Sequence, residues 1–403
     1  MELVAQLVRA LVCGTRGRDF DYHLTPKKNF IKEIMINREV KYSYRDISIK
    51  PAIVSDIEHR EECNPYFNGT RLPLFTSPMD SVVSIENFGM WRENGITPIL
   101  PRTIDLNTRL NFDGSNPYWA AFSLQEFEDI FCDPNRNRGS VMHIKALIDI
   151  ANGHMKKVYD LVKTAKSLNP ELIVMVGNVA NPETYKIAAE AGVDYLRCSV
   201  GTGFACITST QTSTHYPIAS LIDEMAQIKR SIPEARTQIV ADGGVRGYAD
   251  VIKALALGAD YVMVGSVFTK MLESAAKTYF TYASAGNEWY KFKYNKDLHK
   301  YQDGRFYDYN PATSTWDEII LKKEFYGMAS KKGQIALNGK KTRTAEGISK
   351  TLPVEYTMSA WVENFTDYLR SAMSYAGART LEEFKNNTEV LVCSTGTIES
   401  VNK

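Results

Sequence analysis

The sequence predicts an α/β fold, a (β/α)8 TIM barrel, and three observations carry that expectation. Eight short apolar runs recur at 72–77, 96–100, 119–123, 145–151, 172–178, 195–200, 238–244 and 261–266. Most are continuous rather than alternating in polarity, as strands covered on both faces must be. Amphipathic helical patterns lie between them and stop at glycines, so the repeating unit is strand, helix, glycine, next strand. An open sheet of helix-linked strands has the same unit, but a count of eight favours closure into a barrel.

The elements follow in order. Residues 1–34 are set apart as an N-terminal extension, and Met35 is a candidate start of the native chain. The first 28 residues resemble the translation of a tRNA gene; a short amphipathic surface helix is the alternative. Gln6 and Arg9 interrupt this apolar start and Glu2 stands where a signal peptide carries positive charge, so it is not read as one. In the helix predicted over 154–170, Val158, Leu161, Val162 and Ala165 share a face. The next pattern opens at Asn181-Pro182 and stops at Gly192, and its counterpart after residue 247 stops at Gly258. Residues 35–403 are therefore read as a single (β/α)8 domain. Two segments fall outside the repeat: an aromatic, charged insertion at 286–322, read as a hairpin or small subdomain, and a Lys-, Gly- and Thr-rich stretch at 329–352, read as a mobile flap or a solvated loop.

Composition excludes several classes. With 48 basic and 47 acidic residues the net charge is +1, so no global field draws nucleic acid or an acidic membrane. Lys331-Lys332 and Lys340-Lys341 read as solvated loop. No apolar run reaches the ~20 residues of a membrane span. Cysteines at 13, 63, 132, 198, 206 and 393 form no C-x-x-C pair, which argues against a disulfide framework or structural zinc and for a reducing cytoplasm.

Barrel enzymes build their sites at the C-terminal strand ends. Those ends carry Ser77, Met79 and Asp80; Asp149, Asn152 and Gly153; Gly177 and Asn178; Asp242, Gly243 and Gly244; and Gly265 and Ser266. The glycines after strands seven and eight can present N–H groups to a phosphate, or only permit tight turns. Asp242 can grip a ribose diol. There is no Gly-x-Gly-x-x-Gly after a strand and no Walker sequence, so any nicotinamide cofactor must bind in the barrel mouth. After strand six comes "SVGTGFACITST", a thiol on a glycine-hinged loop. Cys206 lies just past a strand end, Gly201 and Gly203 let the chain bend, and Thr208 can share a proton with whatever the thiolate attacks. A buried, inert cysteine is the alternative.

From Tyr44 almost to the C-terminus, ordered motifs resemble the IMP dehydrogenase and GMP reductase family. They include "YRDISIKPA", "SPMDSV", "DIANGH", "GNV", "GTGFACIT", "ADGGVR", "VGS", "YGMAS", "AEG" and "LRSAMSYAGA". The resemblance implies that Cys206 attacks purine C2 of a nucleoside monophosphate and that a hydride moves between C2 and a nicotinamide. It implies that Asp242 holds the ribose, and that Gly243, Gly244, Gly265, Ser266, Tyr326, Gly327 and Met328 surround the nucleotide and its phosphate. Asp149, Asn152, Gly153 and Asn178 would lie toward the cofactor. The carbonyls of Gly201, Gly203 and Cys206 would be ligands for a monovalent cation, K+. A cytoplasmic homotetramer is implied too.

Within the family, GMP reductase fits better: NADPH would reduce GMP to IMP as ammonia leaves, with Thr208 and Glu346 as proton donors to the amine and Arg343 supporting. The span from Asp80 to Asp149 is too short for a regulatory CBS module, the "DIANG" sequence and "TRTAEG" look like the reductase, and residues 329–352 hold no Arg-Tyr pair to activate water. "SPMD", "ADGGVR" and "VGS" lean toward IMP dehydrogenase, which uses NAD and water. Phe204 replaces the serine usual two residues before the cysteine, and Ser209 the arginine three after it. These departures leave a third reading, a nucleotide-binding barrel without catalysis.

Overall fold

Eight parallel strands follow one another along the chain: β1 (Leu74–Thr76), β2 (Ile99–Leu100), β3 (Tyr118–Phe122), β4 (Ile144–Asp149), β5 (Val174–Val179), β6 (Tyr195–Cys198), β7 (Gln238–Asp242) and β8 (Tyr261–Val264). Each overlaps one of the eight apolar runs, exceeding it by at most one residue. The computed structural model describes residues 37–113, 117–135, 139, 141–284, 288–295, 297–339, 342–394 and 397. The extension 1–34, with Cys13, lies outside them, and residues 41–403 form one compact unit.

The spatial order is β1-β8-β7-β6-β5-β4-β3-β2. The ring closes between β1 and β2 through Thr97: the Thr76 N–H donates to the Thr97 carbonyl and the Thr97 N–H to the Leu74 carbonyl, both at 3.0 Å. Inside stand Phe75, Trp119, Leu147, Met175, Val240 and Met263. Trp119 meets Phe75 at 5.6 Å and Tyr195 at 5.1 Å, both edge to face, the geometry that ring quadrupoles favour. The lower barrel is thus filled, and an open volume can exist only at the C-terminal rim.

The helices obey their patterns. Lys156–Leu168 buries Val158, Leu161, Val162 and Ala165. Thr184–Glu190 and Tyr248–Ala256 give way to Gly192 and Gly258 at φ 79° and 103°. Among the described residues no helix is long and apolar enough to cross a membrane.

The aromatic insertion is larger than its sequence limits. Strands β9 (Thr278–Tyr282), β10 (Tyr290–Lys291), β11 (His299–Gln302), β12 (Arg305–Asn310) and β13 (Thr315–Tyr326) form an antiparallel sheet, and β14 (Ser349–Pro353) adds to β13. Phe306, Ile319, Leu321 and Val354 give it a small core of its own. The flap segment 329–352 is correspondingly more ordered than a loop. Ser330 caps a helix, Lys331–Asn338, by accepting from the Gly333 N–H at 3.1 Å, and the segment ends inside β14. Long β13 carries the chain from this sheet to the barrel rim, where Phe325, Gly327 and Met328 arrive.

Candidate active site

A cavity of about 900 Å³ opens at the C-terminal ends of the strands. Cys206, Thr208 and Glu346 line it. So do Asp149, Asn178, Gly201, Gly203, Asp242, Gly243, Gly244, Gly265, Ser266, Gly327 and Met328. Its size suits a small-molecule ligand.

The reacting end is a directed chain of hydrogen bonds. The Cys206 thiol donates to Thr208 Oγ1 at 3.3 Å, and that hydroxyl donates to Glu346 Oε2 at 2.7 Å. Sulfur, hydroxyl and carboxylate are therefore connected for proton movement in either direction. The backbone delivers them together: the Ile207 N–H donates to the Glu346 carbonyl and the Ile348 N–H to the Ala205 carbonyl, both at 2.9 Å. The glycine-hinged loop is thus bridged to the segment leading into β14. Ser209, where the family has arginine, closes the loop by donating to the Gly201 carbonyl at 2.8 Å. The Gly203 carbonyl accepts the Cys206 N–H at 2.9 Å. Each of these two carbonyls keeps one lone pair for a cation.

The floor is an ion-pair cluster centred on Arg197 of β6. Its Nε donates to Asp242 Oδ2 at 2.8 Å and its Nη1 to Asp149 Oδ1 at 2.7 Å. Arg102 donates to the other Asp149 oxygen at 3.0 Å, and Asn178 Nδ2 to Asp242 Oδ2 at 2.8 Å. Burial alone would push the Asp149 carboxyl up, but the Arg197 and Arg102 guanidiniums hold it below the usual carboxylate range. The two carboxylates in turn hold Arg197 charged against its own burial. Among the described residues no hydrogen-bond donor reaches Asp242 Oδ1.

Neither arginine was singled out in the sequence. The signal for Arg197 was a lone charge inside an apolar strand, "YLRCSV": such a residue must be paired if the strand is buried. Three predicted residues stand off the cavity wall. Tyr326 donates its hydroxyl to Asp80 Oδ2 at 2.5 Å. Asn152 accepts from the His154 N–H. Gly153 backs Asn178, donating its N–H to that residue's carbonyl at 2.8 Å; a Cβ there would come within 2.7 Å of Val179 Cγ1. Gly243 needs to be glycine for both reasons, a φ of 88° and a Cβ position only 2.6 Å from Thr202 Oγ1.

Three further thiols are set into the packing of the fold. Burial pushes Cys132 up to about 11 and Cys198 up to about 12 and raises Cys63 as well, so these are inert packing residues. Cys206 alone of the described cysteines faces the cavity.

Residues 143–402 match the family model described as IMP dehydrogenase / GMP reductase domain. The chain belongs to the IMP dehydrogenase/GMP reductase family. Inosine-5'-monophosphate dehydrogenases of Chlorobaculum parvum and Chlorobaculum tepidum are 32% and 33% identical to it over 254 and 256 residues, each alignment covering 63% of this chain and 46% of the relative. A GMP reductase of Streptococcus pyogenes is 30% identical over 247 residues, 61% of each chain. This family member thus spans about half the length of the dehydrogenases it matches, and it carries the cysteine loop, the Asp242–Gly244 turn and the Glu346 segment within the matched region.

Proposed function

We propose that this protein is a purine nucleotide oxidoreductase that converts GMP, NADPH and a proton to IMP, ammonia and NADP+. The observation that carries the reading is the Cys206–Thr208–Glu346 chain at 3.3 and 2.7 Å. The Cys206 proton leaves along Thr208 to Glu346, and the sulfur forms a bond to C2 of the purine. The C2–N2 bond then breaks, and Glu346 through Thr208 returns the proton to the departing amine, so that ammonia rather than its anion leaves. The bond to sulfur breaks as C2 regains a hydrogen, and the released thiolate takes up a proton from solvent to restore the thiol. Bound NADPH would supply that hydrogen as hydride.

Asp242 Oδ1 would accept from a ribose hydroxyl, while Oδ2 is fixed by Arg197 and Asn178. The Gly243, Gly265 and Ser266 amides would face the phosphate, with Gly244 at the turn holding the Thr202 carbonyl. Asp149 and Asn178 would face the cofactor. A potassium ion would draw on the Gly201, Gly203 and Cys206 carbonyls, and a homotetramer in the cytoplasm is the assembly we propose.

The runner-up is IMP dehydrogenase, favoured by the slightly higher identity to the Chlorobaculum proteins. Against it, 329–352 holds no Arg-Tyr pair. A barrel without catalysis is disfavoured because the thiol, hydroxyl and carboxylate are all in place. GMP with NADPH and IMP with NAD are offered separately and the cofactor absorbance followed. Turnover of GMP alone supports the reading; turnover of IMP with NAD alone refutes it. Cys206→Ala should abolish turnover and leave nucleotide binding intact, and retained turnover would refute covalent catalysis.

A further inference from the structure

A carboxylate that meets a hydroxyl at 2.7 Å needs the chain on both sides of it to be held. On the far side of Glu346, Gly347 and Ile348 are bridged to the cysteine loop. On the near side, Thr342, Arg343 and Thr344 are exposed and run along the cavity wall. Among the described residues one side chain makes every hydrogen bond to residues 342–345. Gln334 Oε1 accepts from the Arg343 N–H at 2.6 Å, and Gln334 Nε2 donates to the Thr344 carbonyl at 3.4 Å. The same Nε2 donates to the Ala329 carbonyl at 3.1 Å. That carbonyl also takes the Glu346 N–H, at 3.1 Å, so Gln334 and Glu346 converge on one oxygen.

The helix that carries Gln334, Lys331–Asn338, is itself anchored. Ser330 caps it. Gly333 packs so closely on the preceding turn that a Cβ would lie 2.6 Å from the Gly327 and Met328 carbonyls. Lys332 pairs with Glu324 of β13 and stands 4.8 Å over the Tyr326 ring. Gln334 thus reaches from a fixed element to an irregular one, and a segment held by so few bonds opens easily when they are lost. The residue type fits the task. One group must accept from an N–H and donate to two carbonyls, and a side-chain amide does both while lysine only donates and ionised glutamate only accepts. Gln334 lines the cavity, but both hydrogens of its Nε2 are committed to the chain, so it has no donor left for a ligand.

We propose that Gln334 is a positioning residue whose carboxamide sets the approach of Glu346 to Thr208, and with it the readiness of the Cys206 relay. This rests on the reading of that relay as the proton path of the proposed reaction.

Two variants of the full chain test it. Gln334→Met keeps the length and helix propensity of the side chain and loses all three bonds. Gln334→Glu keeps the acceptor and, when ionised, loses both donors. Hydrogen exchange is read by mass spectrometry in fragments 342–348 and 205–209, with 174–179 of β5 as control. In Gln334→Met, exchange should rise roughly threefold or more in the first two fragments and stay unchanged in the third. Gln334 makes no hydrogen bond to 205–209, so a change there arrives through the backbone bridge. With GMP and NADPH, kcat should fall roughly tenfold, a part of the 10²- to 10⁴-fold that general acid–base catalysis supplies, with KM for GMP within about twofold of wild type. Gln334→Glu should match Gln334→Met at pH 8 and recover toward wild type as pH falls to about 5.5, where protonation restores a donor. Faster exchange confined to 342–348 overturns the inference. So does a rise in KM as large as the fall in kcat, which would make Gln334 a ligand contact, and so does a Gln334→Glu deficit that does not change with pH. If the wild-type chain turns over neither GMP with NADPH nor IMP with NAD, the reading of the site fails, and the exchange measurement still decides whether Gln334 sets the bridge.

Discussion

Replacing Arg197 by leucine tests the electrostatic floor without reference to any substrate. The side chain is 11% exposed and touches two carboxylates that are each 14% exposed. Leucine removes two charge-assisted hydrogen bonds, at 2.7 and 2.8 Å. Asp149 keeps Arg102 and Asp242 keeps Asn178, so neither is orphaned, but both lose the buried cation that balances them. Removing one member of such a group costs about 3–5 kcal/mol. With an unfolding entropy of about 2.1 cal/mol/K per residue, a unit of roughly 360 residues should lose about 5 °C in Tm for 4 kcal/mol. The pH dependence gives the sharper criterion. In the native protein Asp149 is held below its unfolded value, so its contribution is present at neutral pH and is lost as pH falls through the depressed value. In the variant, the burial that opposes ionisation is less fully countered. Protonation then relieves the strain, and the deficit relative to wild type should shrink between pH 8 and pH 5. Urea unfolding at both pH values measures it. A loss below about 1 kcal/mol at pH 8, or one that does not change with pH, would refute the claim that Arg197 compensates two carboxylates.

Glu346→Gln keeps an acceptor for the Thr208 hydroxyl at 2.7 Å but cannot give or take a proton. GMP turnover should fall about 10²- to 10³-fold with nucleotide affinity nearly unchanged; a kcat within about tenfold of wild type would exclude the relay. Lys323, on β13, is 1% exposed and donates to the Leu272 and Ser274 carbonyls at 2.9 and 2.8 Å. Burial lowers it to about 7, with Glu273 opposing that shift. The unfolded chain therefore binds the extra proton between pH 7 and 10, and stability should rise with pH in that window by up to about 1.4 kcal/mol per unit. In Lys323→Met that slope should vanish; its persistence would assign it to another group.

What was legible in the sequence follows from what covers each element. The eight barrel strands are sheathed on both faces, so their apolar runs stand out, and the helices between them show one buried stripe and a glycine stop. Strand β14 had no such mark. Its residues, "SKTLP", are mostly exposed, and only pairing with β13 makes them a strand, so the flap was read as loop to its end. The aromatic insertion at 286–322 was visible, but Thr278–Tyr282 was not assigned to it because its partner, Ile319–Lys323, lies far along the chain. Cys206 and Asp242 were visible because each adjoins glycines at a strand end. Arg102 and Arg197 were not, because a charge in an apolar context acquires meaning only when its partners, Asp149 and Asp242, are known. Tyr326 was placed near the phosphate by resemblance; its hydroxyl donates to Asp80.

The distance in sequence between Thr208 and Glu346 raises the remaining question of how two remote segments hold a proton path within hydrogen-bond tolerance. Side chains alone would not suffice, since a carboxylate on a free loop has several rotamers of similar energy. Here the backbone sets the register first. Ile207 and Ile348 each donate to the opposite segment, at Glu346 and Ala205, and Cys206 stands opposite Gly347 as in a short antiparallel ladder. A Cβ at Gly347 would lie 2.8 Å from the Ser330 N and 3.2 Å from the Ala205 carbonyl, so only glycine lets the strands approach this closely. The thiol and the carboxylate are therefore positioned by the same bridge. Any movement that separates the 346–348 segment from the cysteine loop must break the relay and the backbone pairing together, which makes access to the site and readiness for proton transfer a single structural variable.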